Sequence, residues 1–271
     1  MKLALKSPNI QFLKSLLKRE YRHYQKFIIL STARSGSNYL VSLLNSHSQI
    51  HCFGEVINPT FVDLTYPGYD PKPGYSPEGL LEFRSRHPLR FINEIVFQKY
   101  DCTINAVGLK IFYHHTRIKI LNVIWSYLIN MPNLKILHLK RKNLLKCYLS
   151  DIIAQKTNVW KIYDPRHTTK DVRVELDPEE CLSYFIRTRQ DVDQFSSSLD
   201  SKDCLEIFYN GLVNDYVNET TRIQKFLNLE VQTLKSSLHK QNIRPLSQVI
   251  SNYWDLKKRF ETTPWREFFD D

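Results

Sequence analysis

The segment STARSGSNYL, residues 31–40, combines residue types that bind anions with a spacing that suits a strand, a turn and a helix. It follows the apolar run FIIL directly, and Gly36 suits a tight turn. A helix that begins after such a turn points free backbone N–H groups at it, and these groups and the helix dipole attract an anion. Arg34 adds a planar, permanently charged donor for phosphate or sulfate oxygens, and shorter polar side chains accompany it at Ser35, Ser37 and Asn38.

The same ten residues could also form an ordinary strand–turn–helix junction, which Ser and Gly favour. In loops that hydrolyse ATP or GTP, GxxxxGK[ST], the lysine contacts the terminal phosphates and the next hydroxyl binds magnesium. No Gly-Lys-Ser or Gly-Lys-Thr occurs in this chain. The segment therefore predicts an anion site that works without a metal ion.

Composition and charge are those of a globular protein with a basic surface. Of the 271 residues, 42% are hydrophobic and 24% charged, and the formal net charge is +10. This excess of Lys and Arg favours an anionic partner, such as a nucleotide, a nucleic acid or a membrane surface. Five scattered cysteines form no CxxC pair, so neither a disulfide framework nor a zinc site is expected, and a reducing compartment fits best.

The first 25 residues predict a separate N-terminal element. Apolar side chains recur there at helical spacing, with Lys and Arg between them, at Phe12, Leu13, Leu16, Leu17, Tyr21 and Tyr24. This basic amphipathic helix could touch an anionic membrane or pack on its own domain. The segment is not a secretory signal, since charges run through it, and no apolar stretch of the chain could span a bilayer. We expect a cytoplasmic protein, with peripheral membrane contact as an alternative.

The pattern of short apolar runs predicts an α/β fold. Four β-like runs are KFIILS (26–31), AVGLKIF (106–112), LKILHLK (134–140) and CLEIFY (204–209). Helical patterns follow the first and third, and another begins with Asp177 as N-cap, Pro178 at the first position and Glu180 at the third. Strands separated by helices favour a mainly parallel sheet with helices on both faces. We predict one domain over residues 26–271.

Two segments interrupt this pattern and predict loops on the substrate side. Residues 58–79 are rich in Pro, Gly and Tyr, and residues 156–176 are basic with two aromatic side chains. Long loops in compact domains are often lids or binding loops, although either segment could be a surface insertion without function.

The stretch TARSGSNYL resembles the phosphosulfate loop of sulfotransferases that use 3′-phosphoadenosine 5′-phosphosulfate (PAPS). The resemblance is closest to bacterial carbohydrate sulfotransferases related to the trehalose and Nod-factor enzymes. It implies a three-layer, P-loop-like fold and loop contacts to the donor from Thr32, Arg34, Ser35, Gly36, Ser37 and Asn38. A second signature of that family, an arginine and a later serine that bind the 3′-phosphate, is matched by Arg141 and Ser150 in LHLKRKNLLKCYLSDIIAQ, with Lys142 as the alternative to Arg141.

Further matches extend the resemblance over roughly residues 26–265. HCFGEVINP resembles the segment that carries a glutamate after the second strand, which points to Glu55. AVGLKIFYHH resembles a Gly-Phe-Lys strand, in which Lys110 takes the place of the lysine. EIFYNGLVND resembles a strand end whose tyrosine lies by the adenine, which points to Tyr209, although Asn210 and Gly211 replace two acidic residues there.

The resemblance implies transfer of a sulfuryl group from PAPS to a small-molecule, sugar or glycolipid hydroxyl, with Arg34, Lys110 and Glu55 as the catalytic residues. Glu55 is the expected base, and a partly desolvated cleft would raise its pKa. His114 and His115 are competing bases, and His51 is a weaker one.

Two other protein classes remain open at this point. A nucleotide-dependent phosphotransferase would share the sheet and loop, but it needs a magnesium-binding hydroxyl after a lysine and an acidic metal ligand. A basic nucleic-acid-binding module would explain the charge, but not the pairs Arg34/Ser37 and Arg141/Ser150. We therefore expect no metal and no nucleic acid partner.

Overall fold

The computed structural model describes residues 23–64, 75–164, 166, 172–239 and 244–270. The predicted N-terminal helix lies outside these residues except at its last few positions, where Tyr24 precedes a strand that starts at Gln25. Tyr66 and Tyr69 of the Tyr-rich loop also lie outside them.

Five parallel strands form one sheet in the order β2-β3-β1-β4-β5. The mainly parallel sheet that the sequence predicts is thus parallel throughout. Four strands coincide with the predicted runs to within one residue, and the fifth, IHCF, is a four-residue strand that follows the first helix. The strands are β1 (Gln25–Ser31), β2 (Ile50–Phe53), β3 (Ala106–Phe112), β4 (Lys135–Lys140) and β5 (Cys204–Phe208).

The central strands are apolar on both faces because helices cover both sides of the sheet. On β1, Ile28 and Leu30 pack into one core cluster, whereas Phe27 and Ile29 pack into another on the opposite face. All seven residues of β3 are buried, including the charged Lys110. The result is the predicted three-layer α/β architecture.

Ten α-helices are described. They are α1 (Ser37–Leu44), α2 (Pro77–Arg86), α3 (Pro88–Phe91), α4 (Lys119–Ile129), α5 (Leu144–Thr157), α6 (Pro178–Ser198), α7 (Tyr209–Asn214), α8 (Tyr216–Phe226), α9 (Leu246–Val249) and α10 (Tyr253–Phe260). A π-helical turn (Ile92–Val96) continues α3, and 3₁₀ turns cover Tyr113–Arg117 and Arg266–Phe269. No helix within the described ranges is both long and apolar enough to cross a membrane.

Side-chain caps fix the starts of α5 and α6. The Asn143 side chain accepts a hydrogen bond from Lys146 N at the start of α5, which carries Ser150. At the start of α6 the Asp177 carboxylate accepts from two backbone N–H groups, as its sequence predicts, while Glu180 accepts from the Tyr148 hydroxyl. That last bond ties α6 to α5.

The two predicted loops are shorter than their sequences suggest. Residues 58–64 are irregular, but Pro77 already begins α2, since Ser76 caps it through Gly79 N. The second segment starts inside α5, which continues to Thr157, and Val174 forms a parallel bridge with Ile250.

Candidate active site

The predicted site residues meet at one edge of the sheet because each lies at or just beyond the carboxyl end of a different strand. Arg34 follows β1, Glu55 follows β2, Lys110 lies near the end of β3, Arg141 follows β4 and Tyr209 follows β5. In open parallel sheets, ligands bind outside the carboxyl ends of the strands, where the strand order reverses. Here β1 lies between β3 and β4, so the β1–α1 loop occupies that position.

The β1–α1 loop (residues 32–36) ends at Gly36, a position that has no room for a side chain. Gly36 adopts a left-handed conformation with φ 96°, directly before α1. A Cβ atom at Gly36 would lie 2.2 Å from Cδ2 of Tyr209, so the tyrosine ring packs against the bare backbone of the turn. Arg34 is also left-handed, with φ 59°, which is unusual for a residue other than glycine.

Arg34 connects the loop to the elements that follow β4. Its Nε donates to Ser150 Oγ at 3.1 Å, and its Nη1 donates to the Trp160 carbonyl at 3.1 Å. In return, Nη1 of Arg141 donates to the Arg34 carbonyl at 3.0 Å. The Arg141 guanidinium also lies 4.6 Å from the centroid of the Tyr209 ring. Two guanidinium groups and a serine hydroxyl therefore converge beside the turn.

Lys110 and Glu55 form a buried ion pair next to the start of α1. Lys110 is fully buried, and its Nζ donates to Glu55 Oε1 at 3.0 Å and to Asn38 Oδ1 at 2.5 Å. Asn58 Nδ2 donates to the other carboxylate oxygen of Glu55 at 2.9 Å. The Glu55 side chain keeps 18% of its surface exposed, so it remains accessible from the cavity described below.

The expected rise in the Glu55 pKa is wrong. Burial does raise the pKa of this carboxyl, but the Lys110 ammonium and the hydrogen bonds from Asn58 and Lys110 outweigh burial and hold the pKa below its ordinary value. Burial likewise lowers the pKa of Lys110, which the Glu55 carboxylate opposes. Glu55 is therefore ionised at neutral pH and able to accept a proton.

Of the three histidines considered as bases, only His114 lines the cavity. Burial lowers the pKa of His114, and its ring stacks on Phe112. His115 is fully buried and its pKa is lowered to about 3, mainly by burial. His51 packs edge-to-face on Tyr100, away from the cavity walls, with its pKa lowered by burial to about 4.

The arrangement after β4 separates the two basic candidates. Arg141 lines the cavity, whereas Lys142 is exposed and its Nζ lies 5.3 Å from the centroid of the Phe208 ring. Two loop residues also lie outside the cavity walls: Thr32 makes a side-chain hydrogen bond with Tyr184, and Ser35 is fully buried. Within the described part of the chain, no group hydrogen-bonds to Ser35 Oγ.

Apart from Thr32, Ser35 and Lys110, the predicted catalytic and donor-binding residues line one cavity of about 1090 Å³. Its cationic and glycine-turn wall includes Arg34, Gly36, Ser37, Asn38, Arg141, Ser150 and Tyr209. A second wall combines carboxylate, amide and aromatic groups from Glu55, Asn58, Phe61, Asp63, Phe112, His114 and Trp160. The volume is at the upper end of the range for small-molecule sites, so the cavity could hold two substrates together.

Several cavity residues were not identified from the sequence. Lys146 and Arg244 add positive charge to the walls, and Lys161 pairs with Asp63 at 3.2 Å across two substrate-side segments. Asn58 gave no signal, because an isolated asparagine in a loop is typical of turns. The signal for Lys146 was its position on the same helical face as Ser150, four residues apart.

Fold and site together define a P-loop-like α/β protein whose β1–α1 loop contains an arginine and no lysine. In the described part of the chain, no three His, Cys, Asp or Glu side chains are grouped as they would be around a metal ion.

Comparison with known proteins gives the family. The model of the sulfotransferase family matches residues 26–233, and the chain belongs to this family. Nodulation protein H of Rhizobium meliloti (strain 1021) is 26% identical over 252 residues, covering 91% of this chain and 95% of that protein. Nodulation protein H of Rhizobium tropici is 25% identical over 255 residues, with 91% and 93% covered. The crystal structure of a sulfotransferase from Alicyclobacillus acidocaldarius is 14% identical, covers 92% of this chain and 95% of that one, and has a TM-score of 0.49.

Family membership confirms the resemblance drawn from the loop and its companion motifs. It favours sulfuryl transfer over the phosphotransferase and over the nucleic-acid-binding module.

Proposed function

We propose that this chain transfers the sulfuryl group of PAPS, in line, to a hydroxyl of a carbohydrate or glycolipid, with Glu55 as the base. The observation that carries the proposal is that one cavity is lined both by the guanidinium groups of Arg34 and Arg141 and by Glu55, whose carboxylate is paired with the buried Lys110 behind the wall. The first can bind an anionic donor, and the second offers a proton acceptor beside a cation. Sulfuryl transfer requires both within reach of one reacting centre.

The donor set fits PAPS, which carries negative charge at two separate places. Arg141 and Ser150 would hold the 3′-phosphate, because both line the cavity, Arg141 beside the Tyr209 ring and Ser150 beside Arg34. The N-terminus of α1 would hold the phosphosulfate, since its first N–H groups have no partner within the helix. Arg34, Ser37 and Asn38 border that N-terminus and would add side-chain donors. The Tyr209 ring supplies an apolar face for the adenine.

The bound donor supplies an SO₃ group on a mixed anhydride, and the chemistry develops negative charge on the departing phosphate. Arg34 would provide positive charge for it from the cavity wall, and Lys110 from behind Asn38 and Glu55. Hydrogen bonds already orient both groups, so neither needs to reorganise during transfer. Glu55 would take the proton of the acceptor hydroxyl through the carboxylate edge that remains exposed.

The second wall suits a sugar. Aromatic side chains at Phe61, Phe112 and Trp160 offer apolar faces, while Asn58 and the Asp63–Lys161 pair offer hydrogen bonds to hydroxyls. Pockets that combine apolar faces with a few placed polar groups are typical of small-molecule sites. The exposed Trp160 and Tyr163 extend this surface at its rim.

Binding of the bisphosphate product is the direct test of the donor. We expect 3′-phosphoadenosine 5′-phosphate to raise the melting temperature without magnesium, and AMP to raise it far less, since AMP lacks the group that Arg141 and Ser150 would bind. Ser150→Ala should reduce the difference in binding free energy between the two nucleotides by about 1–2 kcal/mol, the scale of a hydrogen bond to a charged group. Equal stabilisation by both nucleotides would contradict the 3′-phosphate assignment. Titration with an oligonucleotide at two salt concentrations is the control for non-specific binding of anions to the basic surface, since such binding weakens steeply with salt.

Substitution of Arg34 tests the loop. Arg34→Ala should weaken donor binding and slow transfer, because the charge of the guanidinium and its two hydrogen bonds, to Ser150 and to the Trp160 carbonyl, are lost beside the turn. Arg34→Lys should restore only part of both, since a lysine cannot make the fork-shaped contact. Steady-state kinetics with a radiolabelled donor would measure both quantities. Full activity in the alanine variant would remove Arg34 from the mechanism.

A further inference from the structure

The segment that carries Glu55 is a closed loop, named here the Glu55 loop (residues 54–63). Its two ends meet: Asp63 N donates to the Glu55 carbonyl at 3.4 Å, and Asn58 N donates to the same carbonyl at 3.0 Å. A Cβ atom at Gly54 would lie 2.1 Å from Oδ2 of Asp63, so the first and last residues of the loop are in direct contact. The loop supplies four cavity residues, namely Glu55, Asn58, Phe61 and Asp63.

A buried arginine from α2 holds this loop from behind. Arg84 Nη1 donates to the Val56 carbonyl at 2.6 Å and to the Phe61 carbonyl at 3.2 Å. One nitrogen atom thus bridges the beginning and the end of the loop. Arg84 itself lies outside the cavity walls.

The surroundings of Arg84 are unusual for a cation. Its exposure is 2%, and no described carboxylate lies within ion-pair distance of its guanidinium. Burial lowers its pKa to about 10. A buried charge without a counter-ion costs free energy that only well-placed hydrogen bonds offset, and here the carbonyls of the Glu55 loop provide them. An apolar residue at position 84 would fill the core without this cost, but it could not bind the loop.

We propose that Arg84 is a positioning residue, whose guanidinium bridges the Val56 and Phe61 carbonyls and so fixes the Glu55 carboxylate relative to the acceptor. The inference rests on the proposed function, in which Glu55 meets the acceptor hydroxyl. Both hydrogen bonds described for Arg84 go to the Glu55 loop, which lines the acceptor wall, so its effect falls on the acceptor side of the reaction. Misplacement of a reacting group by about 1 Å can slow a reaction about 10²-fold.

The experiment compares Arg84→Ala and Arg84→Lys with Arg86→Ala. Arg86 is the matched control because it lies two residues further on the same helix, is exposed and pairs only with Glu82 among the contacts described for it. Hydrogen exchange of the backbone amides of residues 54–63 is measured first, without substrate. Turnover with a carbohydrate acceptor and stabilisation by the bisphosphate product are measured on the same samples.

We expect Arg84→Ala to accelerate exchange at Asn58 and Asp63 and to lower turnover about 10²-fold, while stabilisation by the bisphosphate product stays at the level of the unaltered chain. The exchange rates and turnover of Arg84→Lys should lie between those of Arg84→Ala and those of the unaltered chain. Added guanidinium chloride should restore part of the turnover of Arg84→Ala, whereas sodium chloride at equal concentration should not. Arg86→Ala should change none of these.

Several results would overturn the inference. One is unaltered exchange and turnover in Arg84→Ala, and another is a loss of donor binding as large as the loss of turnover. If Arg84→Ala does not fold, an Arg84→Lys variant with unaltered exchange and turnover has the same consequence. If the unaltered chain modifies no acceptor, the proposed function fails, and the exchange data still decide whether Arg84 orders the Glu55 loop.

Discussion

Replacing Glu55 with glutamine is expected to slow sulfuryl transfer about 10²–10⁴-fold, because the side chain keeps its size but can no longer accept the acceptor's proton. Affinity for the bisphosphate product should not change, since Glu55 belongs to the acceptor wall of the cavity. Single-turnover measurements with saturating donor and one acceptor would isolate this step. Wild-type transfer in the glutamine variant would contradict the role of Glu55 as base.

Histidine variants are the necessary companions. His114→Asn should retain most activity if Glu55 is the base, and His115→Asn serves as the buried control. An inactive His114→Asn beside an active Glu55→Gln would move the role of base to His114. The sulfotransferase assignment would remain.

The pH profile follows from the Lys110–Glu55 pair. Because the pKa of Glu55 is held below its ordinary value, the carboxylate stays ionised at neutral pH, and activity should fall only when the pH drops through that lowered pKa. The stability that the pair contributes follows the same sign: it is present above the unfolded-state pKa and is lost as the pH falls to the folded-state value.

Lys110→Met should have the second large effect. Loss of the fixed charge that holds Glu55 and Asn38 is expected to reduce turnover about 10²–10³-fold. The acid limb of the pH profile should also move to higher pH, because the ammonium that lowers the pKa of Glu55 is lost while the burial that raises it remains. Breaking a buried ion pair from one side costs roughly 3–5 kcal/mol, so thermal unfolding must be recorded with the kinetics.

A matched variant separates stability from chemistry. Lys135 is a mostly buried lysine on β4, which β1 separates from the strand of Lys110, and it contacts Asp203 and the Phe226 carbonyl away from the cavity. Lys135→Met should lower stability without moving the acid limb. An acid limb that stays in place in Lys110→Met, or that moves equally in both variants, would contradict the proposed control of Glu55 by Lys110.

The fold was largely predictable, because the strands that form the middle of the sheet are continuous apolar runs. The strand β2 was missed as a run since it has only four residues and includes the polar His51. The position of Glu55 after a strand was nevertheless anticipated from the resemblance of its flanking residues. Cap residues such as Asp177 located helix starts, because their side-chain chemistry is local.

The properties of the site were less predictable because they depend on contacts between distant parts of the chain. Glu55 was expected to have a raised pKa, but its partner Lys110 lies 55 positions further along the chain and reverses the shift. Arg84 gave no sequence signal, since an arginine on a short polar helix is normally exposed. The sequence also could not show that Arg141 lines the cavity and Lys142 does not, because this depends on the direction of each side chain.

The left-handed backbone conformation of Arg34 lowers the stability of the fold, whereas the side chain at this position serves the proposed reaction. A side chain at positive φ destabilises the folded state by roughly 1–2 kcal/mol, and glycine at this position would avoid this strain. Glycine would lose about 0.5–1 kcal/mol of this advantage, because it makes the unfolded chain more flexible. Selection for thermostability alone would therefore favour glycine at this position. Selection for turnover would keep the guanidinium, which is proposed to bind the donor. Engineering of a more robust enzyme from this chain should accordingly leave the turn strained and seek its gains elsewhere.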